Sequence, residues 1–305
     1  MTTNSNLQRV LESGGFAVTA ECGPPRSADP DIVIKKGLLL KKHVDAVNVT
    51  DNQTAIVRMG SLAASALLKS IGLDPVWQLV CRDRNRIAIQ SDILGAAALG
   101  INNMLCLSGD HQSFGNQPHA KNVFDLDSMQ LLGAARDLRD SGRLIYDSNE
   151  IPPAARPGLF IGAAANPFAD PFEFRAIRLA KKIANGAQFI QTQCIFNLPK
   201  FTKWMKAVRD RGLADKVYIL GGVTPIKSAG MALYMKDKVA GMDVPDEVIK
   251  RIKGAPKDKQ REEGVKLCVE TIQKLRKIKG VAGVHIMAIE WEEAVPEIVE
   301  AAGLR

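Results

Sequence analysis

The sequence predicts a single-domain α/β protein of 305 residues, a (β/α)8 TIM barrel with additional C-terminal helices. Eight short apolar runs rich in β-branched residues recur along the chain, and helical patterns lie between them. The runs do not alternate cleanly between apolar and polar residues, as expected for parallel strands covered on both faces. A doubly wound sheet is the alternative. That fold usually has fewer strands, and when it binds dinucleotides it has a glycine-rich turn after the first strand, whereas the first run here ends in Glu-Cys-Gly-Pro-Pro.

The predicted elements alternate along the whole chain. The strands cover residues 16–22, 46–50, 76–81, 103–107, 159–164, 189–195, 217–222 and 283–289. Helical patterns, with apolar residues three and four positions apart, cover 31–43, 58–71, 85–99, 127–141, 171–185, 198–211 and 226–239. A short N-terminal helix is expected within residues 1–15. Two extra helices, at 245–254 and 257–279, are expected in the segment 245–280. Gly72, Gly100 and Gly186 follow predicted helices where a left-handed residue commonly ends them.

Two connections between these elements are long. Residues 108–126 follow the fourth strand and are polar, so we expect an active-site loop at the carboxyl-terminal mouth of the barrel. Residues 143–158 follow the fourth helix and carry three prolines, so we expect them at the opposite, structural face.

Composition limits the possible partners. Lysine and arginine number 41 against 33 acidic residues, and the net charge of +8 favours anionic ligands. Nucleic acid is disfavoured because aromatic residues are few and the basic residues are spread out. The five cysteines are scattered, which excludes a zinc ribbon or an iron–sulfur cluster held by this chain alone and is typical of reduced thiols in a cytoplasmic protein. We expect no signal peptide and no membrane span, because no apolar run reaches about 18 residues.

The chemistry of a barrel lies at the carboxyl ends of its strands. Glu21 stands there inside an otherwise apolar first strand. Burial would raise its pKa and keep the carboxyl protonated near neutral pH, as a general acid requires. The alternative is a structural carboxylate paired with Arg82 or Lys227.

Two further strand ends carry candidate site residues. Asp110 follows Ser108-Gly109, where the glycine lets a ligand approach the backbone, although an aspartate that caps a turn is the alternative. Gln193 offers a donor and an acceptor to a ring that presents both, or else is a hydrogen-bonded barrel residue. The four histidines form no metal motif, and His285 in the last strand is expected to be structural.

Taken together, the strand ends form a recognisable pattern. It consists of TAECGPPR (19–26), VNVTD (47–51), CRDRN (81–85), LSGD (107–110) and QTQ (191–193), in that order. This pattern resembles the methylenetetrahydrofolate reductase family of flavin-binding barrels, from about Phe16 to the C-terminus. The resemblance implies reduction of 5,10-methylenetetrahydrofolate to 5-methyltetrahydrofolate by hydride from a reduced flavin. Glu21 would be the general acid that protonates the leaving nitrogen.

The resemblance also implies the remaining site residues. Asp110 would be catalytic, near the flavin pyrimidine and the folate, and Gln193 would bind the pterin. The cofactor, FAD or alternatively FMN, would be bound by Thr50, Gln78, Arg82, Ser108, Gly109, Asp110, Phe124, Asn166 and, on the phosphate side, Lys182. Gln78, Ser108 and Asn166 depart from residues found in some members, which leaves the choice between FAD and FMN open.

The electron donor is left open as well. The resemblance allows NADH or NADPH, or a partner subunit that carries an iron–sulfur cluster, so an oligomer or a hetero-complex is expected. Two other functions are open to a barrel of this kind. One is a pterin-binding methyltransferase that passes a methyl group to a corrinoid protein, which would need neither flavin nor acid. The other is a non-catalytic subunit of a larger complex.

Overall fold

Eight parallel strands close into a barrel in the computed structural model, which describes residues 5–239 and 241–305. Each strand pairs with the next along the chain, and the last pairs with the first. The strands are β1 (Ala17–Cys22), β2 (Ala46–Val49), β3 (Pro75–Val80), β4 (Asn103–Leu107), β5 (Phe160–Ala165), β6 (Phe189–Cys194), β7 (Tyr218–Val223) and β8 (Val281–Ile286). The predicted (β/α)8 barrel is confirmed, and each strand begins and ends within three residues of its predicted bounds.

Helices surround the barrel. In the described residues they are α1 (Asn6–Glu12), α2 (Pro30–Leu40), α3 (Ser61–Ser70), α4 (Arg86–Ala98), α5 (Ser128–Asp140), α6 (Phe174–Ala184), α7 (Leu198–Asp210), α8 (Ala229–Lys238), α9 (Asp246–Gly254), α10 (Gln260–Leu275) and α11 (Ala294–Ala301). Gly72, Gly100 and Gly186 have φ angles of +79°, +70° and +107°, as predicted for residues that end helices.

The main difference from the predicted elements is α11. No helix was predicted after the last strand, where the sequence contains Pro296. Pro296 lies in the first turn of α11, where a helix loses no hydrogen bond to proline. The predicted helix at 257–279 is also shorter, since it begins with a 3-10 turn at Lys257–Lys259 and α10 ends at Leu275.

The interior of the barrel is closed at its amino-terminal end. An apolar layer of strand residues fills the bottom of the barrel, and Leu7 and Leu11 of α1 pack against it from below. Phe160 and Phe189 stack within this layer at 5.0 Å between ring centroids. Any ligand therefore enters from the opposite end, at the carboxyl ends of the strands.

The long connections lie as predicted. Residues 108–126 reach across the mouth to the loop after β2, where a Cβ on Gly115 would lie 1.8 Å from the carbonyl oxygen of Ala55. Residues 143–158 border a groove with Gln8 of α1, which places them at the closed end. Across the described residues, no helix has the length and apolarity needed to cross a membrane.

Candidate active site

A cavity of about 320 Å³ opens at the carboxyl ends of the strands. Predicted site residues lie on its wall: Glu21, Gln78, Asn166, Lys182 and Gln193. Other polar residues on the wall were not predicted as site residues: Asn48, Gln191, Arg175, Arg178 and His285. The barrel therefore brings residues from β1, β2, β3, β6 and β8 to one site, together with one face of α6.

Glu21, at the end of β1, is only 7% exposed. Burial raises its pKa to about 7, and the negative charge of Glu292 raises it further, while a hydrogen bond with Gln53 and the charge of Lys36 act in the opposite direction. The alternative of a structural ion pair with Arg82 or Lys227 is not observed. Arg82 pairs with Asp83 at 2.7 Å, and Lys227 Nζ donates to the Glu290 carbonyl at 3.1 Å.

An ion pair that was not predicted from the sequence lies near Glu21, and both of its charges act on the pKa of that carboxyl. Lys36 Nζ of α2 lies 2.5 Å from Glu292 Oε1 and donates to the Gly23 carbonyl at 3.2 Å. Glu292 is 3% exposed. The two residues are 256 positions apart in sequence, and they meet because β8 closes the barrel against β1.

Three cations on α6 face the cavity. Arg175, Arg178 and Lys182 are spaced three and four residues apart, so they share one helix face. Lys182 is buried and donates to the Ala164 carbonyl, and burial followed by the charge of Arg178 lowers its pKa to about 8. Arg178 makes no ion pair with any described residue. A group of cations of this kind suits a phosphate or pyrophosphate.

The remaining predicted residues lie on the rim, outside the cavity wall. Arg82 Nη1 donates to the Asp110 carbonyl at 3.1 Å, and the Asp110 carboxylate accepts the Thr54 N–H at 3.1 Å. Gly109 has a φ of +89°, and a Cβ there would lie 3.1 Å from the side chains of Arg82 and Val80. Asp110 is exposed and joins the loops after β2 and β4. In this structure its carboxylate therefore has the capping contact that the alternative described.

Within its described residues, the structure gives no side-chain hydrogen bond for three further predicted residues outside the cavity wall, Ser108, Thr50 and Phe124. The carbonyl of Ser108 accepts the Arg82 N–H at 3.0 Å. Thr50 is buried, and its hydroxyl has no hydrogen-bond partner among the described residues. Phe124 is exposed and has a φ of +40°. The cofactor contacts assigned to these residues stay predictions.

The floor of the cavity is polar and uncharged. Asn48 and Gln191 are buried, and no described residue is a partner for the amide nitrogen or oxygen of either. His285 Nδ1 lies 2.9 Å from Thr19 Oγ1, and burial lowers the pKa of the ring to about 3. His285 thus contacts Thr19 as a structural residue would, but its ring also lines the cavity.

Comparison with known proteins identifies the family of the chain. Residues 6–303 match the family model described as methylenetetrahydrofolate reductase. The chain belongs to the methylenetetrahydrofolate reductase family. It is 26% identical over 238 residues to methylenetetrahydrofolate reductase 1 of Schizosaccharomyces pombe, which covers 76% of this chain and 36% of that protein. It is 22% identical over 259 residues to a protein of Caenorhabditis elegans named probable methylenetetrahydrofolate reductase (NADPH), a match that covers 83% of this chain and 36% of that protein. The chain thus spans little more than a third of these relatives.

Solved structures with the same fold are more distant in sequence. An uncharacterized protein from Clostridium thermocellum, described as binding two copies of 5-methyl-5,6,7,8-tetrahydrofolic acid, superposes with a TM-score of 0.64 at 13% identity, covering 98% of this chain and all of that one. A 2,3-dimethylmalate lyase superposes with a TM-score of 0.53 at 11% identity, covering 100% of this chain and 83% of that one. At these identities the likeness concerns the fold.

Proposed function

We propose that this chain reduces 5,10-methylenetetrahydrofolate to 5-methyltetrahydrofolate with the help of a bound flavin, FAD or alternatively FMN. The observation that carries the proposal is Glu21, a buried carboxyl with a pKa of about 7 on the wall of a cavity at the barrel mouth. Membership in the reductase family supports the assignment.

The residues present fit a flavin. Arg175, Arg178 and Lys182 offer positive charge to its phosphate groups on one side of the cavity. On the other side, buried amides without partners offer donors and acceptors to a ring. When bound in its reduced form, the flavin would supply the hydride. Gln78 and Asn166 on the wall, and Thr50, Arg82, Ser108, Gly109, Asp110 and Phe124 on the rim, remain the proposed contacts of the cofactor.

Glu21 is the wall residue best suited to hold the reacting proton. With a pKa of about 7, Glu21 holds its proton more readily near neutral pH than an exposed carboxyl does, and the proton would pass to the leaving nitrogen of the folate as the five-membered ring opens. The resulting carboxylate lies in the field of Lys36 and accepts a hydrogen bond from Gln53, both of which favour the charged form. His285 is neutral at this pH and has no proton to spare.

Gln193 would orient the pterin. Its Oε1 accepts the Cys194 N–H at 3.0 Å, which fixes the amide and leaves the Nε2 hydrogens for a ligand. Asp110 is proposed as the second catalytic residue, near the flavin and the folate, and reaching them requires its carboxylate to turn from the Thr54 N–H.

The donor, the partners and the location belong to the same proposal. Electrons would come from NADH or NADPH, or from an iron–sulfur subunit, and the chain would work as an oligomer or in a hetero-complex. The five cysteines of the chain are free and buried, in keeping with a cytoplasmic protein.

The test starts with the purified protein. We expect flavin absorbance that acid denaturation releases, and oxidation of the reduced protein by 5,10-methylenetetrahydrofolate. Assays with NADH, NADPH and a reduced ferredoxin then identify the donor. A colourless protein that binds neither FAD nor FMN would contradict the proposal and favour the corrinoid-dependent methyltransferase or the non-catalytic subunit.

A further inference from the structure

The floor of the cavity carries amides that the protein itself does not satisfy. We call Asn48, Gln191 and His285 the amide floor. Asn48 is fully buried and Gln191 is 4% exposed, yet neither side chain has a hydrogen-bond partner among the described residues. A buried amide without partners is costly in the folded protein. A ligand that pairs with these groups recovers that cost as affinity.

The position of the amide floor makes it part of the binding site. β2 and β6 stand opposite one another in the closed barrel, so Asn48 and Gln191 approach a ligand from opposite sides. Asn48 is the register partner of Glu21 on the neighbouring strand. Beneath the floor lies the apolar layer that contains Leu105, which limits how deep a ligand can enter.

The chemistry of the amide floor selects the group it can bind. Each amide offers one acceptor oxygen and a donor nitrogen, and the imidazole of His285 is uncharged. The charged groups on the cavity wall come from the end of β1 and from α6 and are not part of the floor. An anion would find no cation on the floor, and a cation would find no carboxylate. An uncharged edge that alternates donors and acceptors satisfies the amides.

We propose that the amide floor binds the neutral carbonyl–NH edge of a pyrimidinone ring, the edge that flavin and pterin rings share. This rests on the proposed function and deepens it, because it assigns recognition of a reacting ring to residues other than Glu21, Asp110 and Gln193. Which of the two rings reaches the floor is decided by experiment.

The test removes each amide and keeps its shape. Asn48→Leu and Gln191→Met are the test variants, and Leu220→Met, in the apolar layer below, is the matched control. Binding is measured with lumazine, which carries the edge without a phosphate or glutamate tail, and then with FMN and 5-methyltetrahydrofolate. We expect each test variant to bind lumazine roughly tenfold more weakly and the control to bind it like the wild type. A parallel loss for FMN assigns the floor to the flavin, and one for 5-methyltetrahydrofolate assigns it to the pterin.

A measurement on the wild type needs no variant to fold. 1,3-Dimethyllumazine lacks the N–H donors of the edge, and we expect it to bind far more weakly than lumazine. The proposal is overturned if wild type fails to bind lumazine, if the dimethyl compound binds equally well, or if both test variants bind lumazine like the wild type. If the wild type binds lumazine but binds neither FMN nor 5-methyltetrahydrofolate, the proposed function is refuted and the proposal for the amide floor stands.

Discussion

Replacing Glu21 by Gln should stabilise the protein at alkaline pH and change it much less at acid pH. The folded state raises the pKa of Glu21 from 4.5 to about 7, chiefly through burial. Below pH 4.5 the folded and unfolded chains both hold the proton. Between pH 4.5 and 7 the unfolded chain gives it up first, so the wild type loses stability as the pH rises. Glutamine keeps the shape and cannot ionise.

The size of the effect follows from the two pKa values. A difference of 7 − 4.5 = 2.5, at 1.36 kcal/mol for each pKa unit, corresponds to about 3 kcal/mol above pH 7. At pH 5 part of this cost is already present, because the unfolded chain is then mostly ionised. Between pH 5 and pH 8.5 the advantage of Glu21→Gln over the wild type should therefore grow by about 2.5 kcal/mol.

The assay is urea unfolding at both pH values, followed by circular dichroism and tryptophan fluorescence. Glu12→Gln, which removes a carboxylate at an exposed position of α1, is the matched control for the loss of a surface carboxyl. If the advantage of Glu21→Gln is the same at pH 5 and pH 8.5, Glu21 ionises like an exposed carboxyl and our account of its burial is wrong.

Three further predictions concern other residues. Glu292→Gln should lower the pKa of Glu21, because it removes a nearby negative charge and frees Lys36. Since Glu21 is active in its protonated form, the fall in rate on the alkaline side of the pH–rate profile should move to lower pH, and an unmoved alkaline limb would show that the ion pair has no influence. Arg178→Met should weaken FMN binding about 10- to 100-fold and leave riboflavin binding unchanged. Both affinities are measured by quenching of flavin fluorescence, and equal losses for the two ligands would exclude a phosphate contact. Gly264→Ala should lower the melting temperature by several degrees, because a Cβ there would lie 1.9 Å from a backbone oxygen. Gly254→Ala is the control, since a Cβ at that position would have open space around it. Equal melting temperatures for the two variants would contradict the close packing at Gly264.

The sequence predicts the barrel well because its signals are local. Each strand is a short apolar run, and Glu21 is conspicuous as a lone carboxyl in such a run. The structure confirms that it is buried on the cavity wall. The α6 cations are partly visible, since Arg175 and Arg178 precede Lys182 at helical spacing, but only the orientation of the helix shows that they face the site.

Other parts of the site depend on contacts that no local pattern encodes. In the sequence, Asn48 and Gln191 are polar residues within mostly apolar strands. Only the closed barrel shows that both line one cavity. Lys36 and Glu292 meet through the pairing of the first and last strands. Asp110 follows the expected Ser-Gly turn, but its carboxylate is engaged by a neighbouring loop, which the spacing of the motif does not reveal.

The central claim is that Glu21 gives its proton to the folate, and single-turnover kinetics of Glu21→Gln test it most directly. Flavin content and the rate of flavin reduction by the donor should stay near the wild-type values, because neither step uses this proton. Oxidation of the reduced protein by 5,10-methylenetetrahydrofolate, followed in a stopped-flow spectrophotometer, should slow by about 10²- to 10⁴-fold. Oxidation at the wild-type rate would show that Glu21 is not the acid.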